Sequence, residues 1–164
     1  MYKKVAEFIR GLYGERDVVP LHEPFFIGNE KKYLTDCIDT SFISSVGEYV
    51  NQFETRIAAF TGAEHAVAVI NGTAGLHISL LLSGVKPGDE VLTQPLSFIA
   101  TSNAIRYCNA EPVYIDVDKE TMGISPKYLE IFLENEVETD KHGQARNRRT
   151  GSNISACMPM HTFG

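Results

Sequence analysis

The sequence predicts an α/β protein with a mostly parallel sheet and flanking helices. Three observations carry that expectation. Short runs rich in β-formers at His65–Ile70, Glu90–Gln94 and Pro112–Asp116 alternate with apolar stretches of helical period, and strands separated by helices of this length pair in parallel through crossovers. Glycine and proline punctuate the alternation at Gly62, Gly72, Gly84 and Pro87-Gly88, where turns belong. The composition, 43% hydrophobic and 22% charged over 164 residues, is that of a globular chain able to bury a core.

In chain order, Met1 to Tyr13 alternates charge with Val5, Phe8, Ile9 and Leu12, so a short helix is expected, ended by Gly14. Val18 to Gly28 contains Pro20 and Pro24 and is read as an extended arm. Asn29 is placed to cap a second helix in which Tyr33, Leu34, Cys37 and Ile38 share a face, and Phe42 to Gly47 leaves it as a loop. Val50, Phe53, Ile57 and Phe60 form the stripe of a third helix from Glu48 to Thr61, stopped by Gly62. Residues 1–61 are thus expected to hold helices and an arm, and 62–164 the α/β part.

The chemistry gathers where the expected strands hand over to helices. After His65–Ile70, Asn71-Gly72-Thr73 opens a helix over Thr73–Leu82 with Leu76, Leu80 and Leu81 at helical spacing and Gly84 as C-terminal cap. A helix start carrying a glycine and a hydroxyl aims free N–H groups, the positive dipole end and an O–H at one point, which suits a phosphate or carboxylate. Taken alone, the tripeptide is more often an ordinary cap. Leu96-Ser97-Phe98 holds the corresponding position before a helix over Phe98–Tyr107, so an anion cradle and an aromatic ring would face one crevice at the carboxyl ends of parallel strands. A buried anchor at the helix start is the equal alternative for Phe98.

Asp116 and Asp118 follow the next strand, but Asp118-Lys119-Glu120-Thr121 has turn composition, which favours a structural role. Ser125-Pro126 then starts a helix carrying Tyr128, Leu129, Phe132 and Leu133. Residues 136–153 are almost devoid of apolar side chains and read as a polar surface excursion, with a hairpin turn placed at Thr150-Gly151 before a last strand over Ile154–Met158. The sequence stops shortly afterwards, before any covering helix, so an incomplete domain is expected.

A net charge of −6 gives no reason to expect nucleic acid, and the basic cluster Arg146–Arg149 is too short for a binding surface. Cys37, Cys108 and Cys157 are widely spaced without a CxxC, so neither a disulfide framework nor a zinc site is indicated. No metal is assigned. The N-terminus has no apolar leader and no run reaches membrane-spanning length, which leads to the expectation of a cytoplasmic protein.

The stretch NGTAGLHISLLLSGVKPGDEVLTQPLSFIATSNAI, followed by AEPVYIDVDKETMGISP, resembles the DegT/DnrJ/StrS family of pyridoxal-phosphate-dependent nucleotide-sugar aminotransferases. With PLHEPFFIGNEKKYLTDCID before it and SACMPMHTFG after it, the resemblance runs from about Pro20 to Gly164 and looks closest to the LegC-type branch. It implies a fold type I architecture, with 62–164 an incomplete cofactor-binding large domain. It also implies pyridoxal 5′-phosphate as cofactor, a UDP-sugar substrate, an amino-acid donor such as glutamate, and a homodimer. The reaction implied is amination of the 4-keto group of a UDP-linked 4-keto-6-deoxy-N-acetylhexosamine for legionaminic acid-like surface sugars. Gly72 and Thr73 match the positions that bind the cofactor phosphate, and Phe98 the aromatic residue that stacks on its ring. Ser44-Ser45-Val46-Gly47 matches a region lining the sugar-nucleotide side, and His161 falls in a strand-end motif and is treated as structural. The Schiff-base lysine and the carboxylate for the pyridine nitrogen are expected beyond Gly164. None of Lys86, Lys119, Lys127 or Lys141 stands in the matching motif, so no catalytic residue is named and the chain alone is expected to be inactive. A sugar dehydratase of the same family and a catalytically inert fragment stand as alternatives.

Overall fold

The computed structural model describes residues 2–14, 16–20, 22–44 and 47–162. The chain divides into two compact units, Met1–Ala66 and Val67–Gly164.

The first unit is helical. Helix α1 spans Tyr2–Tyr13 and ends at Gly14, whose φ of +72° is the left-handed conformation that glycine adopts without cost. The arm after it forms no regular element among its described residues. Helix α2 spans Glu30–Asp39. Asn29 occupies its N-cap position, yet its side chain makes no capping bond, because at φ −95° and ψ 16° the backbone is not in the extended conformation a cap requires. The Glu30 carboxylate instead accepts the Gly28 N–H at 2.9 Å. Helix α3 runs over Glu48–Thr61 to Gly62 at φ +73°. It meets α2 through Tyr33 and Tyr49, whose rings lie 4.9 Å apart, and through the Tyr49 hydroxyl, which donates to Asp36 Oδ2 at 2.9 Å. That bond to a carboxylate raises the Tyr49 pKa to about 12.

The second unit holds the sheet. The expected strand at His65–Ile70 is not formed: the segment belongs to neither sheet, and Val67 and Ile70 are 81% and 93% exposed. A β-branched run states a side-chain preference, but a strand exists only where a neighbour completes its ladder. The expected βαβαβ repeat is therefore α4 (Gly72–Leu82), β1 (Glu90–Thr93), α5 (Ile99–Tyr107) and β2 (Glu111–Tyr114). Helix α6 (Pro126–Glu136) follows, capped by Ser125 with Pro126 in its first turn. After it come the short β3 (Val137–Thr139) and β4 (Ala145–Asn147), then β5 (Ile154–Cys157). The main sheet has order β2-β1-β5, and both pairings are parallel.

β3 and β4 pair as an antiparallel hairpin. Its turn is Asp140–Gln144, where Gly143 sits at φ +81° and the Asp140 carboxylate accepts the N–H groups of His142 and Gln144. The hairpin turn expected at Thr150-Gly151 is displaced accordingly. That dipeptide forms the next turn, with the Gly151 N–H donated to the Asn147 carbonyl at 2.8 Å, and leads β4 into β5.

Helices α4 and α5 pack against each other. Leu80 and Val85, at the end of α4, pack with Val91, Ala104, Ile105, Cys108 and Ala110 in one buried cluster. Both helices end in the same device. At α4, Val85 N–H reaches the Leu80 carbonyl and Gly84 N–H the Leu81 carbonyl, with Gly84 at φ +88°. At α5, Ala110 and Asn109 do the same to Ile105 and Arg106, with Asn109 at φ +55°. These paired bonds close the last turn and set an apolar residue onto the helix it follows. Among the described residues no helix is long and apolar enough to cross a membrane.

Candidate active site

In a parallel sheet the chain leaves each strand at the same edge, where loops and helix starts converge. β1 gives way there to Gln94–Phe98 and α5, β2 to the turn before α6, and β5 to residues 158–162. Helix α4 ends where the connection to the start of β1 begins.

Gly72 and Thr73 are the first two residues of α4. Asn71, extended at φ −164° and ψ 171°, accepts the Ala74 N–H on its side chain at 2.9 Å and the Gly75 N–H on its carbonyl at 3.1 Å. The N–H groups of Gly72 and Thr73 meet no acceptor among the described residues. A Cβ on Gly72 would find nothing within 4 Å, so the space beside these donors is open. Unpaired N–H groups at a capped helix start, beside the partly buried Thr73, are donors from which an anion can accept.

Phe98 is the N-cap residue of α5 and is 76% exposed. This exposure rules out the alternative of a buried anchor. Its backbone is held from within: the Phe98 carbonyl accepts the Thr101 N–H at 3.0 Å, and Ser97 Oγ donates to Thr101 Oγ1 at 2.6 Å. An exposed ring on a fixed turn can stack on a planar ligand.

Asp116 and Asp118 are occupied by the turn after β2. Asp116 accepts the Val117 N–H, and Asp118 accepts the N–H groups of Glu120 and Thr121 and the Thr121 hydroxyl. The bonds from the Thr121 and Glu120 N–H groups hold Asp118 below its usual carboxylate range. His161 is exposed after β5. Of the loop Ser44-Ser45-Val46-Gly47, Ser45 and Val46 lie outside the described residues. Ser44 and Gly47 line a hollow with Leu34, Ile38 and Phe42 in the first unit.

Sequence reasoning passed over Gln94. It is 0% exposed, and its two polar atoms make three hydrogen bonds to three segments. Nε2 donates to the carbonyls of Leu96 and Met122, each at 3.0 Å, and Oε1 accepts the Met160 N–H at 3.2 Å. A polar residue closing a buried strand just before Pro95 was the signal available.

Free N–H groups at a helix start are groups a phosphate can use, and an exposed ring is one a flat ring can stack on. The model of the DegT/DnrJ/EryC1/StrS aminotransferase family matches residues 26–164. A GDP-perosamine synthase of Vibrio cholerae is 41% identical over 147 residues, covering 90% of this chain and 35% of that protein. It does not single out the LegC-type branch. A 3-amino-5-hydroxybenzoic acid synthase superposes with a TM-score of 0.66 at 28% identity, over 87% of this chain and 33% of that one. A GDP-4-keto-6-deoxymannose-3-dehydratase, solved with a trapped PLP-glutamate geminal diamine, superposes with a TM-score of 0.60 at 25% identity, over 70% of this chain and 31% of that one. The chain spans about a third of the length of the curated relatives it matches. Its α/β architecture is that of fold type I pyridoxal-phosphate enzymes, and the chain belongs to the DegT/DnrJ/EryC1/StrS aminotransferase family.

Proposed function

We propose that this chain supplies the phosphate-binding and ring-stacking part of the cofactor site of a nucleotide-sugar aminotransferase, with residues 62–164 forming part of its cofactor-binding domain. The supporting observation is the pair of unaccepted N–H groups at Gly72 and Thr73, at the start of a helix that packs against the one Phe98 begins. The Gly72 and Thr73 N–H groups and Thr73 Oγ1 donate to the phosphate, Asn71 keeps that helix start wound, and the Phe98 ring lies against the pyridine. When bound, pyridoxal phosphate supplies the electron sink through which an amino group passes between carbon skeletons. No lysine of this chain is assigned a catalytic part.

The substrate we propose is a UDP-linked 4-keto-6-deoxy-N-acetylhexosamine, aminated at C4 with glutamate as donor, in a cytoplasmic homodimer serving bacterial surface-sugar synthesis. The resemblance of the sequence motifs supports it. A GDP-linked sugar is the second reading, supported by the 41% identity to a GDP-perosamine synthase. A dehydratase is the third, supported by the likeness to a GDP-4-keto-6-deoxymannose-3-dehydratase. The test is incubation of the complete gene product with glutamate and each keto sugar nucleotide. An amino sugar from the UDP substrate supports the first reading and one from the GDP substrate the second. A deoxygenated sugar carrying no nitrogen supports the third.

A further inference from the structure

The best-satisfied buried side chain at the carboxyl edge belongs to Gln94. Its partners are 2, 28 and 66 residues away in sequence, and each lies on a segment leaving a different strand. Leu96 is on the loop from β1 to Phe98, Met122 on the turn after β2, and Met160 on the stretch after β5. A glutamine amide offers two donors and an acceptor in one rigid plane, so the three segments are fixed to one another through a single group.

The Met122 end of this arrangement is under strain. Met122 adopts φ +58°, a left-handed conformation costly for a side chain larger than glycine. It is held by its carbonyl, which accepts from both Gln94 Nε2 and Thr162 Oγ1, the latter at 2.9 Å. A strained turn tied to the loop that bears the ring is a positioning device more than a filler of space.

We propose that Gln94 is a positioning residue for the cofactor ring, acting through the Pro95–Phe98 loop. This inference rests on the assignment of Phe98 to the ring. Gln94→Met removes both donors and the acceptor at similar volume, so the loop loses its tie and Phe98 its fixed height above the edge. The phosphate donors, on a different helix, are not on this path.

The test is a double-mutant cycle in the complete gene product without cofactor, titrated with pyridoxal phosphate and separately with inorganic phosphate. Gln94→Met should weaken pyridoxal phosphate binding about tenfold, the scale of buried hydrogen bonds lost. It should leave inorganic phosphate binding unchanged. In a Phe98→Ala background the same substitution should change pyridoxal phosphate binding by less than about twofold, since the effect then has no ring to act through. Equal weakening in both backgrounds, or parallel loss of phosphate and cofactor, overturns the proposal. A Phe98→Ala variant that binds cofactor like the parent overturns the ring assignment itself, which separates the two failures. If Gln94→Met does not fold, Gln94→Glu keeps the acceptor for Met160 N–H, loses the donors, and enters the same cycle with the same expected outcomes.

Discussion

The two edges of the main sheet use polar side chains in opposite ways. At the amino edge, Glu90 is 3% exposed and its carboxylate accepts Asn147 Nδ2 and Thr150 Oγ1, each at 2.7 Å. Asp89 beside it, 6% exposed, accepts the Lys86 N–H at 2.9 Å and Asn153 Nδ2 at 3.4 Å. Neither carboxylate meets a cation among the described residues; both are consumed in tying the 147–153 turn to β1. At the carboxyl edge, Gln94 is likewise consumed, yet the Phe98 ring stands in solvent, and at the start of α4 the Gly72 and Thr73 N–H groups are left over. Saturated polar groups hold a fold, whereas surplus donors on a braced frame are available to a ligand.

This contrast can be broken at several points. Glu90→Ala should be the most damaging change. It strands the Asn147 amide, which is 1% exposed, and should cost about 3 kcal/mol, the scale of two hydrogen bonds to a charged acceptor. Urea unfolding would read it, and the difference between the edges disappears if cofactor affinity falls as far in the folded fraction. Phe98→Ala should leave the melt unchanged and weaken the cofactor by roughly 2 kcal/mol through lost stacking and apolar contact, read by dialysis and absorbance. Thr73→Ala should cost about 1.5 kcal/mol of cofactor binding, one hydrogen bond to a charged group, and should weaken inorganic phosphate in proportion. Phe98→Tyr keeps the ring face and should shift cofactor affinity by less than about 0.5 kcal/mol.

The smallest expected effect is one of pH. Asp118 is held below its ordinary range by the Thr121 and Glu120 N–H groups. Its contribution to the turn is therefore complete above the unfolded-state value and is lost as pH falls through the depressed folded-state value. A carboxyl-carbon titration by NMR should place the midpoint below that of a free aspartate, and Asp118→Asn should remove that transition from the spectrum.

Local signals were legible and distant ones were not. The bounds of α3 at Glu48 and Thr61 follow from an apolar stripe and the glycine that ends it, and Gly84 declares the end of α4 in the same way. The segment 65–70 misleads because pairing depends on a neighbour that periodicity does not report. The place of the hairpin turn could not be read because β3 and β4 are three residues each and both Gly143 and Gly151 permit a reversal. The helices expected from Thr73 and Phe98 start within one residue of those positions, at Gly72 and Ile99, although only the second follows a strand. Gln94 could not be read, since two of its partners are 28 and 66 residues downstream and nothing local marks such a bond.

The cap of α4 also sets how the protein should age. Asn71 is followed by Gly72, the pairing whose unhindered amide nitrogen most readily attacks the asparagine side chain and expels ammonia, giving a cyclic imide that water opens to aspartate or isoaspartate. The isoaspartate product adds a methylene to the backbone at the cap, whereas an aspartate would still accept the Ala74 N–H and would suit the positive end of the helix. Its new negative charge would stand beside the Gly72 and Thr73 donors and repel a phosphate. Stored material should thus lose cofactor affinity, with bound cofactor, by covering Gly72, slowing the damage.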